Sequence, residues 1–408
     1  MSKEMGRINL DFYRGLAEEN KSKVVLMVMD GLGGLPSESG SKTELEIAHT
    51  PNLDKLASES ICGLHSPAGP GIIPGSGPAH LGLFGYDPVK YQVGRGVLSA
   101  LGIGFDLQEG DVAARGNFCT VDENGIITDR RAGRISSEKN RELCKLLRNI
   151  EIPGVTMHIE TVKEYRFLFI MRGKNLSGEI SATDPQDVGK KPLDPVPENS
   201  EAKPTADLIK IFVEEARKVL AGHSPANMVL LRGFSKRPNW PDFEKTFKVK
   251  AAAIAAYPMY RGVAKLIGMN ALDSGDTLDE EFSMLEKNWP DYDFFFIHVK
   301  KIDSYGEDGK EKDKIHLIEE VDTYIPRLLR LKPDVLIVTG DHSTPAVLKS
   351  HSWHPVPVMI RSKYCRADSV TEFGERACML GGLGPRIPSK HLMPIAMANA
   401  GRLEKFGA

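Results

Sequence analysis

Carboxylates and imidazoles gather in this chain just past short apolar runs, where a folded protein leaves side chains free to act. Asp30 follows such a run in Val-Met-Asp-Gly-Leu-Gly-Gly, and Asp341 and His342 follow another in Val-Thr-Gly-Asp-His. Asp303 and Glu307 are four apart, a spacing that puts both carboxylates on one face of a helical turn. His351 and His354 come next in His-Ser-Trp-His-Pro-Val-Pro. Mixed carboxylate and imidazole sets suit Zn²⁺ or Mn²⁺, and two such ions can clamp the attacking and leaving oxygens of a phosphoryl group. Each side chain alone also serves as an ordinary cap or turn residue. Their recurrence at several strand ends is what favours a metal.

Ser76 stands in Pro-Gly-Ser-Gly-Pro-Ala-His-Leu-Gly. Its flanking glycines let a ligand approach the backbone, and a helix starting there would aim its N-terminal dipole at an anion. A serine hydroxyl is a poor nucleophile near neutral pH unless a base or a metal lowers its pKa. Pro74 occupies the position where a nucleophile elbow needs glycine, so activation by metal is the more natural route. Arg130, Arg131 and Arg134 lie together in Asp-Arg-Arg-Ala-Gly-Arg. Guanidinium groups bind carboxylate and phosphate oxygens through paired hydrogen bonds, which makes these three candidate substrate contacts rather than a merely solvated basic loop. Arg261 is a second, separate candidate.

These groups need elements to position them. Val24 to Met29, Phe294 to Val299 and Val335 to Thr339 are short, rich in Val, Ile or Phe, and sharply ended. That pattern predicts buried strands of a mostly parallel sheet, whose ligands sit outside the carboxyl ends. Val155 to Ile159 and Tyr165 to Ile170 alternate in polarity, which predicts a half-exposed antiparallel pair. Ser181 to Pro204 is loop-like, and Thr205 is expected to cap a helix with Leu208, Ile209, Phe212, Ala216 and Val219 on one face and Gly222 just past its end. The expected organisation is an α/β domain of residues 1–105 and 269–408, interrupted by a smaller α+β domain of residues 106–268 that holds the substrate.

A chain of 408 residues exceeds one ordinary core, in keeping with two domains. The formal net charge of −2 offers no basic excess for nucleic acid or a membrane surface. The stretch from Met1 to Lys23 is charged throughout without an apolar signal core, and no run is long enough to span a bilayer. The five cysteines are far apart, odd in number and free of any CxxC pair, which predicts reduced thiols and a cytoplasmic setting.

The runs Met29-Asp30-Gly31, Thr50-Pro51-Asn52-Leu53-Asp54, Ser76-Gly-Pro-Ala-His80, Thr339-Gly-Asp-His342 and Pro355-Val-Pro357 together resemble the alkaline phosphatase superfamily. With Arg95-Gly96-Val97, Asn117-Phe118 and Asp129-Arg-Arg-Ala-Gly-Arg134, the chain is similar to archaeal-type, cofactor-independent phosphoglycerate mutases from about Lys23 to its C-terminus. The resemblance implies an alkaline-phosphatase-like sheet, a phosphoserine intermediate at Ser76 and interconversion of 2-phosphoglycerate and 3-phosphoglycerate. It implies two divalent ions per chain, Mn²⁺ first with Zn²⁺, Co²⁺ or Mg²⁺ as alternatives, and no 2,3-bisphosphoglycerate. Asp30, Ser76, Asp341 and His342 match the ligands of one ion, and Asp303, Glu307 and His351 fall where those of the other lie.

The chain departs from that pattern in three places. Glu307 replaces a histidine, His354 replaces an aspartate, and Ser181-Ala-Thr-Asp-Pro-Gln186 lacks an aspartate and a histidine. Glu307 adds negative charge and favours harder ions, and His354 is an alternative ligand in its place. Two other readings stay open on sequence. One is a related phosphatase or mutase acting on another phosphorylated or phosphonate metabolite, which would release phosphate without isomerisation. The other is a catalytically impaired homologue kept for binding, against which the retained Ser76, Asp30, Asp341 and His342 argue.

Overall fold

The computed structural model describes residues 8–38 and 40–407. Met1 to Arg7, part of the charged N-terminal stretch, lie outside the described residues. The chain divides into two units, residues 1–92 with 240–408 and residues 93–239.

Every residue of Val24–Met29 is buried, as a strand covered on both faces requires. It lies inside an eight-stranded sheet of order Gly384–Pro388, Ile61–Ser66, Val356–Ser362, Val335–Thr339, Val24–Met29, Phe294–Val299, Ala251–Ala255, Asn270–Leu272. Only Val356–Ser362 runs antiparallel to its neighbours. Alternate residues Val25, Met27, Phe295, Ile297, Leu336 and Val338 face one side. There they meet Leu317, Ile318, Val321, Ile325 and Leu328 of the helix Glu311–Arg330, whose spacing gathers them into one apolar stripe. Each such side chain contributes roughly 2 kcal/mol by leaving water. The opposite face, with Leu26, Val28 and Phe296, is equally buried.

The smaller unit holds an antiparallel sheet of Ile127–Asp129, Val112–Val121, Arg166–Arg172 and Thr156–Lys163, with Met228–Ser235 also paired to Val112–Val121. Its core joins Phe118, Phe167 and Phe169 to Leu143 and Leu147 of the helix Ser137–Leu147 and to Ile209, Phe212 and Leu220 of the helix Lys203–Leu220.

Two sequence expectations shift. The smaller unit begins and ends earlier than residues 106–268, because the all-alanine-and-isoleucine strand Ala251–Ala255 pairs in parallel with Phe294–Val299 in the large sheet. Thr205 does not cap its helix. Asn199 caps the short turn that leads into it, while Thr205 Oγ1 accepts the Ser177 amide at 2.9 Å.

Candidate active site

Strand register assembles the first group of residues. Met29 pairs with Val299 and Val28 with Thr339, so Asp30, Lys300 and the Gly340-Asp341-His342 turn leave the sheet at one level. Asp30 is wholly buried and its two oxygens have different surroundings. Oδ2 accepts from Tyr260 Oη and lies 3.1 Å from Lys300 Nζ and 3.4 Å from His298 Nε2. Oδ1 has no hydrogen-bond partner. Burial opposes ionisation of Asp30, but Lys300 and then His298 outweigh it and hold the carboxyl well below the usual range.

Asp341 Oδ1 accepts the Gly31 amide at 3.0 Å, while Oδ2, also buried, has no hydrogen-bond partner. His342 Nε2 lies 3.4 Å from Asp30 Oδ1, 3.2 Å from Asp341 Oδ2 and 3.3 Å from Ser76 Oγ. Ser76 is the first residue of the helix Ser76–Leu83, and its carbonyl is held by His80 Nδ1 at 2.7 Å. Two buried carboxylate oxygens without a hydrogen bond, Asp341 Oδ2 lying 3.2 Å from His80 Nδ1, would cost several kcal/mol if they faced only protein. One ligand atom from each of Asp30, Asp341 and His342 lies within 4.8 Å of the others, so the donor set fits a divalent cation.

A second group consists of Asp303, His342 and His351, again with ligand atoms within 4.8 Å of one another. His342 therefore belongs to both groups, where the sequence reading placed it in one. Tautomers follow from the partners. His351 Nδ1 lies 2.9 Å from the Pro74 carbonyl, which can only accept, so Nδ1 carries the proton and Nε2 presents its lone pair towards Asp303 Oδ1 at 3.5 Å. Burial pushes the His342 imidazole below its ordinary value, and a metal ligand must be neutral. Lys300 also contacts Asp303 Oδ2, so its ammonium bridges a carboxylate of each group.

Glu307 sits at the edge of this arrangement. It ends the helix Lys301–Glu307, its carboxylate is 50% exposed, and Oε1 lies 3.9 Å from His351 Nε2, outside the tight second group. His354 is not in either group. Its Nδ1 lies 3.0 Å from Ser352 Oγ, its ring stacks on Trp353, and it lines a cavity of about 280 Å³ with Trp353 and Arg386.

In the smaller unit Arg130 makes a paired contact with the buried Asp184 at 3.0 and 2.7 Å. Arg131 and Arg134 are exposed. Arg232, not foreseen from sequence, lies 3.8 Å from Asp184 and donates to Gln186 Oε1 at 3.1 Å. Burial, and after it the nearby Arg95 guanidinium, push Arg232 down to about 10. Arg261 belongs to the larger unit, where it pairs with Asp273 at 3.1 Å.

Lys300, Tyr260 and Thr344 were also missed. Lys300 carried a usable signal, standing one helical turn before Asp303. Tyr260 and Arg232 reach their places only through strand pairing and helix packing.

The five cysteines are free thiols, and among the described residues no helix is long and apolar enough to cross a membrane. Residues 57–227 match the family model described as 2,3-bisphosphoglycerate-independent phosphoglycerate mutase. A probable 2,3-bisphosphoglycerate-independent phosphoglycerate mutase of Aquifex aeolicus is 49% identical, over 98% of this chain and 100% of that protein. Another, of Deinococcus radiodurans, is 50% identical over 98% of this chain and 99% of its own length. Among solved structures, a Pyrococcus horikoshii protein superposes with a TM-score of 0.83 at 33% identity, covering 95% of this chain and all 100% of that one. The cofactor-independent phosphoglycerate mutase of Thermoplasma acidophilum superposes with a TM-score of 0.65 at 29% identity, covering 93% and 100%.

Proposed function

The chain belongs to the 2,3-bisphosphoglycerate-independent phosphoglycerate mutase family, and we propose that it interconverts 2-phosphoglycerate and 3-phosphoglycerate through a phosphoryl group carried on Ser76. One observation carries the reading: the Ser76 hydroxyl lies 3.3 Å from Nε2 of His342, which also lies 3.4 Å from Asp30 and 3.2 Å from Asp341.

The residues divide the work. Ser76 Oγ forms the new bond to phosphorus as the bond to the glycerate oxygen breaks, and the proton lost from Ser76 ends on the freed glycerate hydroxyl. In the second half-reaction the other glycerate hydroxyl takes the phosphoryl group back, and Ser76 recovers its proton. The donors that fit divalent ions are Asp30, Ser76, Asp341 and the single lone pair of His342 for one and Asp303 and His351 for the other, with Glu307 at the rim. Two ions bound there, Mn²⁺ by preference, would lower the pKa of the serine hydroxyl and neutralise charge on the transferred group. Lys300 adds a fixed positive charge beside both carboxylates.

The smaller unit carries its own guanidinium cluster, suited to binding an anion. Arg130 and Arg232 flank one buried carboxylate, Asp184, leaving one positive charge in excess for a carboxylate or phosphate, with Arg95 near Arg232. Asp184 fixes Arg130 in direction, which lowers the ordering cost of binding. No 2,3-bisphosphoglycerate is required, because the phosphoryl group stays on Ser76 between half-reactions. Free thiols and a small glycolytic substrate accord with a cytoplasmic setting.

A coupled enolase assay on the purified chain tests this reading. Turnover of 3-phosphoglycerate should vanish after prolonged chelation and return with Mn²⁺, without added 2,3-bisphosphoglycerate. Release of free phosphate without isomerisation would identify a phosphatase instead.

A further inference from the structure

We propose that Thr344 is a positioning residue that couples the two groups of ligand atoms, using one hydroxyl to set the proton of His342 and the direction of the Asp303 carboxylate. This rests on the reading of the site as a divalent-ion centre. Thr344 is wholly buried, and its Oγ1 lies 2.7 Å from Asp303 Oδ1 and 3.0 Å from His342 Nδ1. A hydroxyl has one proton to give. An ionised carboxylate can only accept, so that proton goes to Asp303. Thr344 Oγ1 must then accept from His342, which puts the imidazole proton on Nδ1. His342 Nε2 is left with its lone pair facing Asp30, Asp341 and Ser76. Asp303 belongs to the second group and His342 to both, so a single side chain orients donors on each side.

The surroundings hold Thr344 in that place. Its amide donates to the Gly33 carbonyl at 3.0 Å, and its own carbonyl accepts from the buried Lys314 Nζ at 2.9 Å. Gly31 and Gly306 make the room. A Cβ on Gly31 would stand 2.7 Å from Thr344 Oγ1, and one on Gly306 would stand 2.2 Å from the Thr344 carbonyl oxygen. The carbonyl oxygen on backbone cannot yield as a flexible side chain could, so the helix bearing Asp303 approaches Thr344 only because position 306 is glycine. Outer partners of metal ligands of this kind are worth roughly 10- to 100-fold in affinity.

The test is Mn²⁺ binding to the full chain, measured by titration calorimetry and by electron paramagnetic resonance, for the wild type, Thr344→Val and Thr344→Ser. Thr344→Val keeps the branched shape without the hydroxyl and should weaken both ions together by roughly 10- to 100-fold. Thr344→Ser keeps the hydroxyl and should bind as the wild type does. If Thr344→Val fails to fold by circular dichroism, Thr344→Ala takes its place with the same expectation. Wild-type affinity in the hydroxyl-free variant, or weakening of one ion alone, overturns the proposal. A wild type that binds no Mn²⁺ overturns the reading of the site itself, and this proposal with it.

Discussion

The imidazoles of His342 and His351 stack with ring centroids 3.7 Å apart and planes at 26°. Each has its Nδ1 proton held from outside the site, by Thr344 Oγ1 for one and by the Pro74 carbonyl for the other. His342 Nε2 is left facing Asp30 and Asp341, and His351 Nε2 is left facing Asp303. The Pro74 contact also ties His351 to the segment that delivers Ser76 two residues later. Nucleophile and ligands are thus fixed to each other by a few directional bonds, which is what phosphoryl transfer demands of a protein.

Glu307 is expected to be dispensable for metal binding. Its carboxylate is half exposed and 3.9 Å from the nearest imidazole nitrogen of the second group. Glu307→Ala should keep both ions with less than about a tenfold loss of affinity, since the ligands proper remain. Glu307→His should tighten the second site and shift its preference towards Zn²⁺, because imidazole is the softer donor. His354→Ala should leave metal content unchanged, as His354 faces Ser352 and Trp353 instead. Loss of one ion from Glu307→Ala, measured by elemental analysis, would restore it as a ligand.

Tyr260 is expected to matter through Asp30. Its hydroxyl donates to Asp30 Oδ2, and its ring stacks 3.7 Å from His298. Tyr260→Phe keeps the ring and removes the donor. Affinity at the Asp30 site should fall by roughly tenfold while the ion held by Asp303 and His351 is little changed. Equal weakening of both ions, followed by calorimetry, would mean that the substitution disturbs packing rather than one carboxylate.

Acid should weaken the fold in a window set by His65. The ring is wholly buried, with Nε2 3.0 Å from Thr339 Oγ1 and 3.0 Å from the Gly340 carbonyl, and burial pushes its imidazole from 6.5 down to about 4. Above pH 6.5 the ring is neutral whether the chain is folded or not, so it adds no pH dependence. Below that, the unfolded chain takes up a proton that the folded one refuses, and stability falls until about pH 4. The loss approaches about 1.4 kcal/mol per pH unit, or about 3 kcal/mol across the window. The stability gap between wild type and His65→Asn, from urea unfolding at several pH values, should narrow accordingly. A gap independent of pH would contradict this assignment.

Much of this was legible before any coordinates. Val24–Met29, Phe294–Val299 and Val335–Thr339 are strands over the very residues that the apolar runs mark, because strands buried on both faces admit little else. Asp30, Ser76, Asp303, Asp341, His342 and His351 were visible because chemistry collects at strand ends, and they do come together. Lys300, Thr344 and Tyr260 were not, since their value lies in which oxygen of which carboxylate they touch. Asp184 stood in a loop read for the residues it lacks, and its pairing with Arg130 depends on folding. The smaller unit's limits were misplaced because Ala251–Ala255 is too bland to declare which sheet it joins.

The account turns on Ser76. The most direct measurement is mass spectrometry of the metal-loaded wild type, mixed with 3-phosphoglycerate and quenched in acid within milliseconds, alongside Ser76→Ala treated identically. The wild type should carry a phosphate on Ser76 that appears no later than 2-phosphoglycerate does. Ser76→Ala should carry none and turn over nothing, while melting as the wild type does, because one small hydroxyl contributes little to stability. Isomerisation by Ser76→Ala, or a wild type that turns over without ever bearing phosphate at Ser76, would contradict the mechanism.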